Sequence, residues 1–191
     1  MELFSKEEIK DLAISVLGIT LIFSFVFGWH LFFPLLFTVI LSFVLHEMAH
    51  KFVAIKLGCF TIYKMWLKGL LFSLFFTLMF ATLGLKLIII APGAVLVYPF
   101  RFGRWGYRRV HLTETESGII SVVGPLVNLS FAIMFSLLPG PIPWLIASVN
   151  AWLFFFNILP IPPLDGSKIM RWNTGLWVVL FIVGLLIVYF L

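Results

Sequence analysis

Charge is scarce in this sequence, and so is cysteine. Lys, Arg, Asp and Glu make up 11% of the 191 residues, where a soluble domain carries about 25%. A single cysteine, Cys59, forms no intrachain disulfide, which excludes a stapled secreted module. The shortage of polar residues excludes a disordered chain. What fills the space is apolar: 62% of the side chains are hydrophobic, with 23 Phe and 7 Trp. A body of this size cannot bury them all, so its surface must face lipid. The net charge of +5 comes from basic residues in short segments between apolar runs. That distribution indicates membrane orientation rather than a nucleic-acid partner.

The runs define an all-α polytopic membrane protein. Five full transmembrane helices are expected at about 12–28, 31–57, 118–138, 142–159 and 175–191, in one domain covering 1–191. Residues 1–11 are no secretory signal, because they hold four acids against two lysines and a second span follows at once. The stretch 69–100 is interrupted by Gly84, Lys86 and Pro92-Gly93. A simple crossing there would put Arg101, Arg104, Arg108 and Arg109 opposite Lys51, Lys56, Lys64 and Lys68, against the positive-inside rule. A re-entrant segment returns them to one side, with 12 of the 13 basic residues together and Lys86 within the dip. A cell-membrane location with a cytoplasmic N-terminus follows. Residues 87–98 are β-branched on both sides of Pro92-Gly93, which favours a β-hairpin over two helices kinked at Pro92.

Of the eight acids, only Glu47 and Asp165 adjoin or enter apolar runs, where a carboxylate needs a reason. Glu47 belongs to His46-Glu47-Met48-Ala49-His50. On a helix this spacing sets His46 and His50 one turn apart on one face, able to share a Zn²⁺ ion. Glu47 then reaches water beside the ion rather than the ion. Chance produces such a pattern in roughly one of 400 chains of this composition. A third protein ligand is needed, and the candidates are Asp165, Glu114, Glu116, His30, His111 and Cys59. His30 lies about 24 Å up the helix and reads as an interfacial companion of Trp29. His111, Glu114 and Glu116 share a polar loop with the arginines. Asp165 follows Pro160, Pro162 and Pro163, which stop a regular helix and let a side chain turn inward, although a solvated turn aspartate has the same pattern.

Three segments together carry a resemblance: His46 to His50 with Ala54 and Gly58 behind it, Gly124-Pro125-Leu126-Val127-Asn128, and Asn157 through Pro160, Pro162, Pro163 to Asp165-Gly166. They resemble, in order and in span, the motifs of the site-2 protease family of intramembrane zinc metalloproteases. The likeness covers about residues 31–172 and suggests a minimal form, without a PDZ or nucleotide-sensing domain. Ser167 stands where the family often has Gly. The resemblance implies His46, His50 and Asp165 as zinc ligands, Glu47 as catalytic base and Asn157 as a substrate contact. Asn157 equally suits a helix-end cap, and Asn128 suits a bond between helices. The implied activity is hydrolysis of a single-span membrane protein within the bilayer, with an edge strand in 87–98 holding the unwound substrate. The alternatives are a metal-ion transporter and an inactive binding protein using the same ligands. The lack of a repeated half with matching broken helices argues against the first, and the intact Glu47 against the second.

Overall fold

A computed structural model describes residues 4–85, 87–98, 100–103, 106–109 and 111–191. Lys86 and Arg104, which enter the orientation count, lie outside the described residues. The chain opens with α1, Lys6–Phe27, whose start is set by a reciprocal capping box between Ser5 and Glu8. A single 3-10 turn, Trp29–Leu31, reverses the chain into α2, Phe32–Lys56. After α2 come β1, Phe60–Met65, and α3, Leu67–Thr82. Strands β2, Gly93–Tyr98, β3, Phe100–Gly103, and β4, Gly106–Arg109, follow. The rest is helical: α4, Glu114–Ser136, α5, Pro141–Ile158, α6, Asp165–Trp172, and α7, Thr174–Phe190.

Among the described residues, four helical segments are long and apolar enough to cross a membrane: Lys6–Phe27, Trp29–Lys56, Glu114–Ser136 and Pro141–Ile158. The apolar α7 is shorter, 17 residues, or about 25 Å at 1.5 Å per residue. The first helix begins six residues before the expected apolar boundary, because the Ser5–Glu8 cap recruits the acidic stretch into it. Phe, Leu and Val cover much of the outward faces, including Phe33, Phe37, Leu71, Phe75, Val179 and Leu186. One core joins α1, α2 and α5 through Ile19, Phe23, Leu35, Val39 and Leu153. A second, built on Phe154, Ile158, Ile169 and Leu180, ties α5 to α6 and α7.

The expected 87–98 hairpin is not formed. Strand β2 pairs antiparallel with β1, from Phe60↔Tyr98 to Met65↔Gly93. Residues 87–92 instead run back along α3, where Thr77 Oγ1 accepts the Ile89 amide and Ser73 Oγ accepts that of Ala91. The chain thus returns beside Gly69, whose α-carbon lies close to the Ala91 carbonyl. Segment 60–65 looks like a polar connection because of Lys64, yet Thr61 and Tyr63 are buried and Phe60 and Lys64 face out. That alternation is a strand's. A second ribbon, β3 with β4, lies within the arginine-rich segment expected to be a loop.

The two edges of the β1–β2 ribbon are different. Trp66 donates its amide to the Pro92 carbonyl, which fixes the phase of the ladder. Lys64–Ala94 and Ile62–Leu96 are then the bonded pairs. The amides of Tyr63 and Met65 point away on the β1 edge, and those of Val95 and Val97 away on the β2 edge.

Candidate metal centre

Helix α2 carries His46, Glu47 and His50 on its buried side, four of its turns from where it begins at Phe32. Helix α4 approaches this face closely because residue 124 is glycine: a Cβ there would lie 2.3 Å from His50 Nε2 and 2.7 Å from His46 Nε2. Pro125 removes one backbone bond from α4 in the same turn. Helix α5 ends at Ile158, and the chain re-enters at Leu164 so that Asp165 opens α6. Gly166 permits that turn, since a Cβ would collide with the Ile158 carbonyl.

These turns bring three side chains together. Asp165 Oδ2 is 3.1 Å from His50 Nε2 and 3.5 Å from His46 Nε2, and the two Nε2 atoms are 3.0 Å apart. Among the described residues this is the group of His, Cys, Asp and Glu able to hold a metal. The other carboxylate oxygen, Oδ1, faces Lys168 Nζ at 3.7 Å.

The hydrogen bonds around the rings assign their protons. His50 Nδ1 is 2.7 Å from the Ile120 carbonyl, which only accepts, so Nδ1 carries the hydrogen. Asn128 donates through Nδ2 to the Ser42 carbonyl and to Asn150 Oδ1, so its Oδ1 accepts from His46 Nδ1 at 2.6 Å. With Nδ1 engaged on both rings, the two Nε2 atoms are left to face one point beside a carboxylate oxygen. That arrangement suits a cation, and two imidazoles with one carboxylate suit zinc.

Glu47 lies outside this trio. Its carboxylate is buried, faces the Val95 amide, and its Oε2 has no hydrogen-bond partner among the described residues. It opens onto a cavity of about 350 Å³ lined by His46, His50 and Asp165, with Asn157, Lys168 and residues 90–97. Asn157 Nδ2 donates to the Leu153 carbonyl one turn back in α5, at 2.9 Å, and the residue lines the cavity.

The remaining candidates stay apart. Glu116 caps α4, and Glu114 lies 3.8 Å from Arg171 at the surface. His30 and His111 are exposed, and Cys59 packs with Ala54 and Ile120. Asn128 bonds between helices as expected. Asn150 and Ser42 were not singled out; their signal is a polar residue inside an apolar run. Asn150 donates to Ser42 Oγ at 2.7 Å and to the Ile146 carbonyl at 2.8 Å, extending the support behind His46.

Fold and site together define a multi-pass membrane protein with a buried His-His-Asp cluster able to hold a metal. The chain is 37% identical to "Putative zinc metalloprotease MJ0611" of Methanocaldococcus jannaschii, over 92% of this chain and 90% of that protein. It is also 30% identical to "Putative zinc metalloprotease YwhC" of Bacillus subtilis strain 168, over 72% of this chain and 67% of that one. No family profile matches the chain, and no solved structure does. The chain belongs to the zinc metalloprotease family for which these relatives are named.

Proposed function

We propose that this protein is an intramembrane zinc metalloendopeptidase of the site-2 protease type, cutting single-span membrane proteins inside the bilayer. His46, His50 and Asp165 hold the metal, Glu47 is the general base, and Asn157 contacts substrate. The observation that carries the reading is the convergence of three buried donor atoms beside Glu47, whose buried Oε2 has no partner among the described residues. Glu47 shares with both histidines a helix long enough to span lipid.

Zinc held by this trio would supply a Lewis acid for the scissile carbonyl and make water at the site easier to deprotonate. Glu47 takes the proton from the attacking water and returns it to the leaving amine, so one water is added across the peptide bond. His46 lies ten residues before Lys56, about 15 Å from the helix end. Water therefore enters along the polar side of the cavity, past Lys64 and Lys168. A substrate helix must unwind before attack, because its carbonyls are bonded internally. The outward amides of Val95 and Val97 then bind the extended segment as an added strand beside Glu47. The orientation proposed has the N-terminus and residues 101–117 in the cytoplasm of a cell-membrane protein.

The test is Glu47→Gln. Purified variant should keep zinc and lose cleavage of a single-span substrate by a factor of about 10²–10⁴. Cleavage within tenfold of wild type would overturn the general-base assignment. Zinc flux through liposomes that persists in this variant, with no proteolysis by the wild type, would favour a transporter.

A further inference from the structure

The chemistry above uses neither Glu8 nor Lys51, yet both are buried, at 5% and 4% exposure. Their ion pair joins the first turn of α1 to the residue after His50. Burying two charges is costly unless further bonds satisfy them. Glu8 has those bonds: Oε2 accepts the Ser5 amide at 2.8 Å, and Oε1 accepts both Lys51 Nζ and the Tyr63 amide, the latter at 2.9 Å. The Lys51 ammonium also lies 4.5 Å from the centre of the Phe4 ring. One turn on, Asp11 Oδ2 accepts the Met65 amide at 3.1 Å. Ser15 Oγ lies 2.7 Å from the Tyr63 hydroxyl.

Tyr63 and Met65 are the β1 residues whose amides point away from β2. The acids of α1 therefore occupy the outer edge of the ribbon in place of a third strand. Among the described residues, no strand pairs with the opposite edge, which faces Glu47. We propose that Glu8, assisted by Asp11, is a positioning residue: it closes the β1 edge and, through Lys51, fixes the ribbon's register against the metal helix. Substrate then meets a single open strand edge at a set distance from Glu47. The inference rests on the protease reading for its consequence in catalysis, but not for its structural content.

Amide exchange on the full-length protein in detergent, followed by mass spectrometry, tests the structural part; zinc content and cleavage kinetics test the rest. In Glu8→Ala, exchange across 60–65 and 93–98 should be about tenfold faster, since a buried donor loses its acceptor. Zinc content should hold, and KM should rise more than kcat falls. Unchanged ribbon exchange in zinc-replete Glu8→Ala would overturn the proposal. So would a fall in zinc content and kcat with KM unchanged, the mark of plain destabilisation. Should Glu8→Ala not fold, Glu8→Gln with Lys51→Met keeps an acceptor for the Tyr63 amide and removes both buried charges. Its ribbon should stay protected, and a loosened ribbon there would refute edge closure. If the wild type cleaves nothing while Glu8→Ala loosens the ribbon, the protease reading fails and the structural assignment stands.

Discussion

Gly124→Ala adds one methyl group at the point where the metal site is tightest. The new Cβ would sit 2.3 Å from His50 Nε2 and 2.7 Å from His46 Nε2, inside contact distance of both donor atoms. Neither ring can step aside freely. His50 is held at Nδ1 by the Ile120 carbonyl at 2.7 Å, and His46 by Asn128 at 2.6 Å. Rotating both away forfeits two hydrogen bonds at about 1 kcal/mol each. Leaving them in place incurs overpacking of roughly 1–3 kcal/mol. Zinc needs both rings in place, so the loaded state bears the overpacking, about 1–3 kcal/mol, which weakens zinc binding by roughly 5- to 150-fold. Without metal each ring can pivot about its Nδ1 hydrogen bond, moving Nε2 while keeping the bond, so thermal unfolding in excess chelator should move little. Competition against a chromophoric chelator, on purified protein in detergent, measures the first quantity. Zinc affinity within threefold of wild type in Gly124→Ala would refute the geometry of helices α2 and α4 argued above.

Other substitutions probe the rest of the centre. Asp165→Ala should lower zinc content and abolish cleavage together, while Glu114→Ala and Glu116→Ala change neither; metal analysis showing full zinc with normal proteolysis in Asp165→Ala would place the third ligand elsewhere. Asn128→Leu removes the acceptor that orients His46 and should weaken zinc binding about 10–100-fold, the usual effect of losing such support. A cysteine placed at Thr113 should react with an impermeant thiol reagent from the cytoplasmic side alone, and labelling from outside intact cells would reverse the proposed orientation.

How legible the molecule was in its sequence varied with the range of the interactions involved. The long apolar runs and the i, i+4 histidines depend on local periodicity, and these appear as helices α1, α2, α4 and α5 and as one buried face of α2. The break before Pro160 and the inward turn at Asp165 also follow from local backbone restrictions. Strand pairing does not. The partner of β2 is set by contacts some 30 residues away, and Lys64 disguised the alternation of Thr61 and Tyr63 in β1. A Pro-Gly between β-branched runs was therefore mistaken for a hairpin turn, when it marks the point where an extended return along α3 becomes a strand. Glu8 and Asp11 failed to stand out for a related reason. They sit in a charged stretch whose bland reading is a solvated tail, and only the fold supplies their buried partners.

The polar groups at the centre of the bundle divide by how fully they are bonded, and that division separates support from chemistry. Asn128 accepts from His46 and donates to the Ser42 carbonyl and Asn150. Asn150 accepts from Asn128 and donates to Ser42 Oγ and the Ile146 carbonyl. In an apolar bundle an unmet amide costs about 1–3 kcal/mol, so a saturated chain of this kind rigidifies what it touches, here the ring of His46. Among the described residues, three buried side-chain oxygens lack partners: Glu47 Oε2, Thr61 Oγ1 and Ser148 Oγ. Thr61 and Ser148 carry hydroxyls that rotate to find an acceptor, whereas a carboxylate oxygen can only wait for a donor. Glu47 alone of the three lies beside the metal donors, facing the cavity and the open strand edge. Under the proposed chemistry, a framework that saturates the side-chain amides behind His46 while leaving this oxygen unmet suits a proton that arrives with water and departs with product.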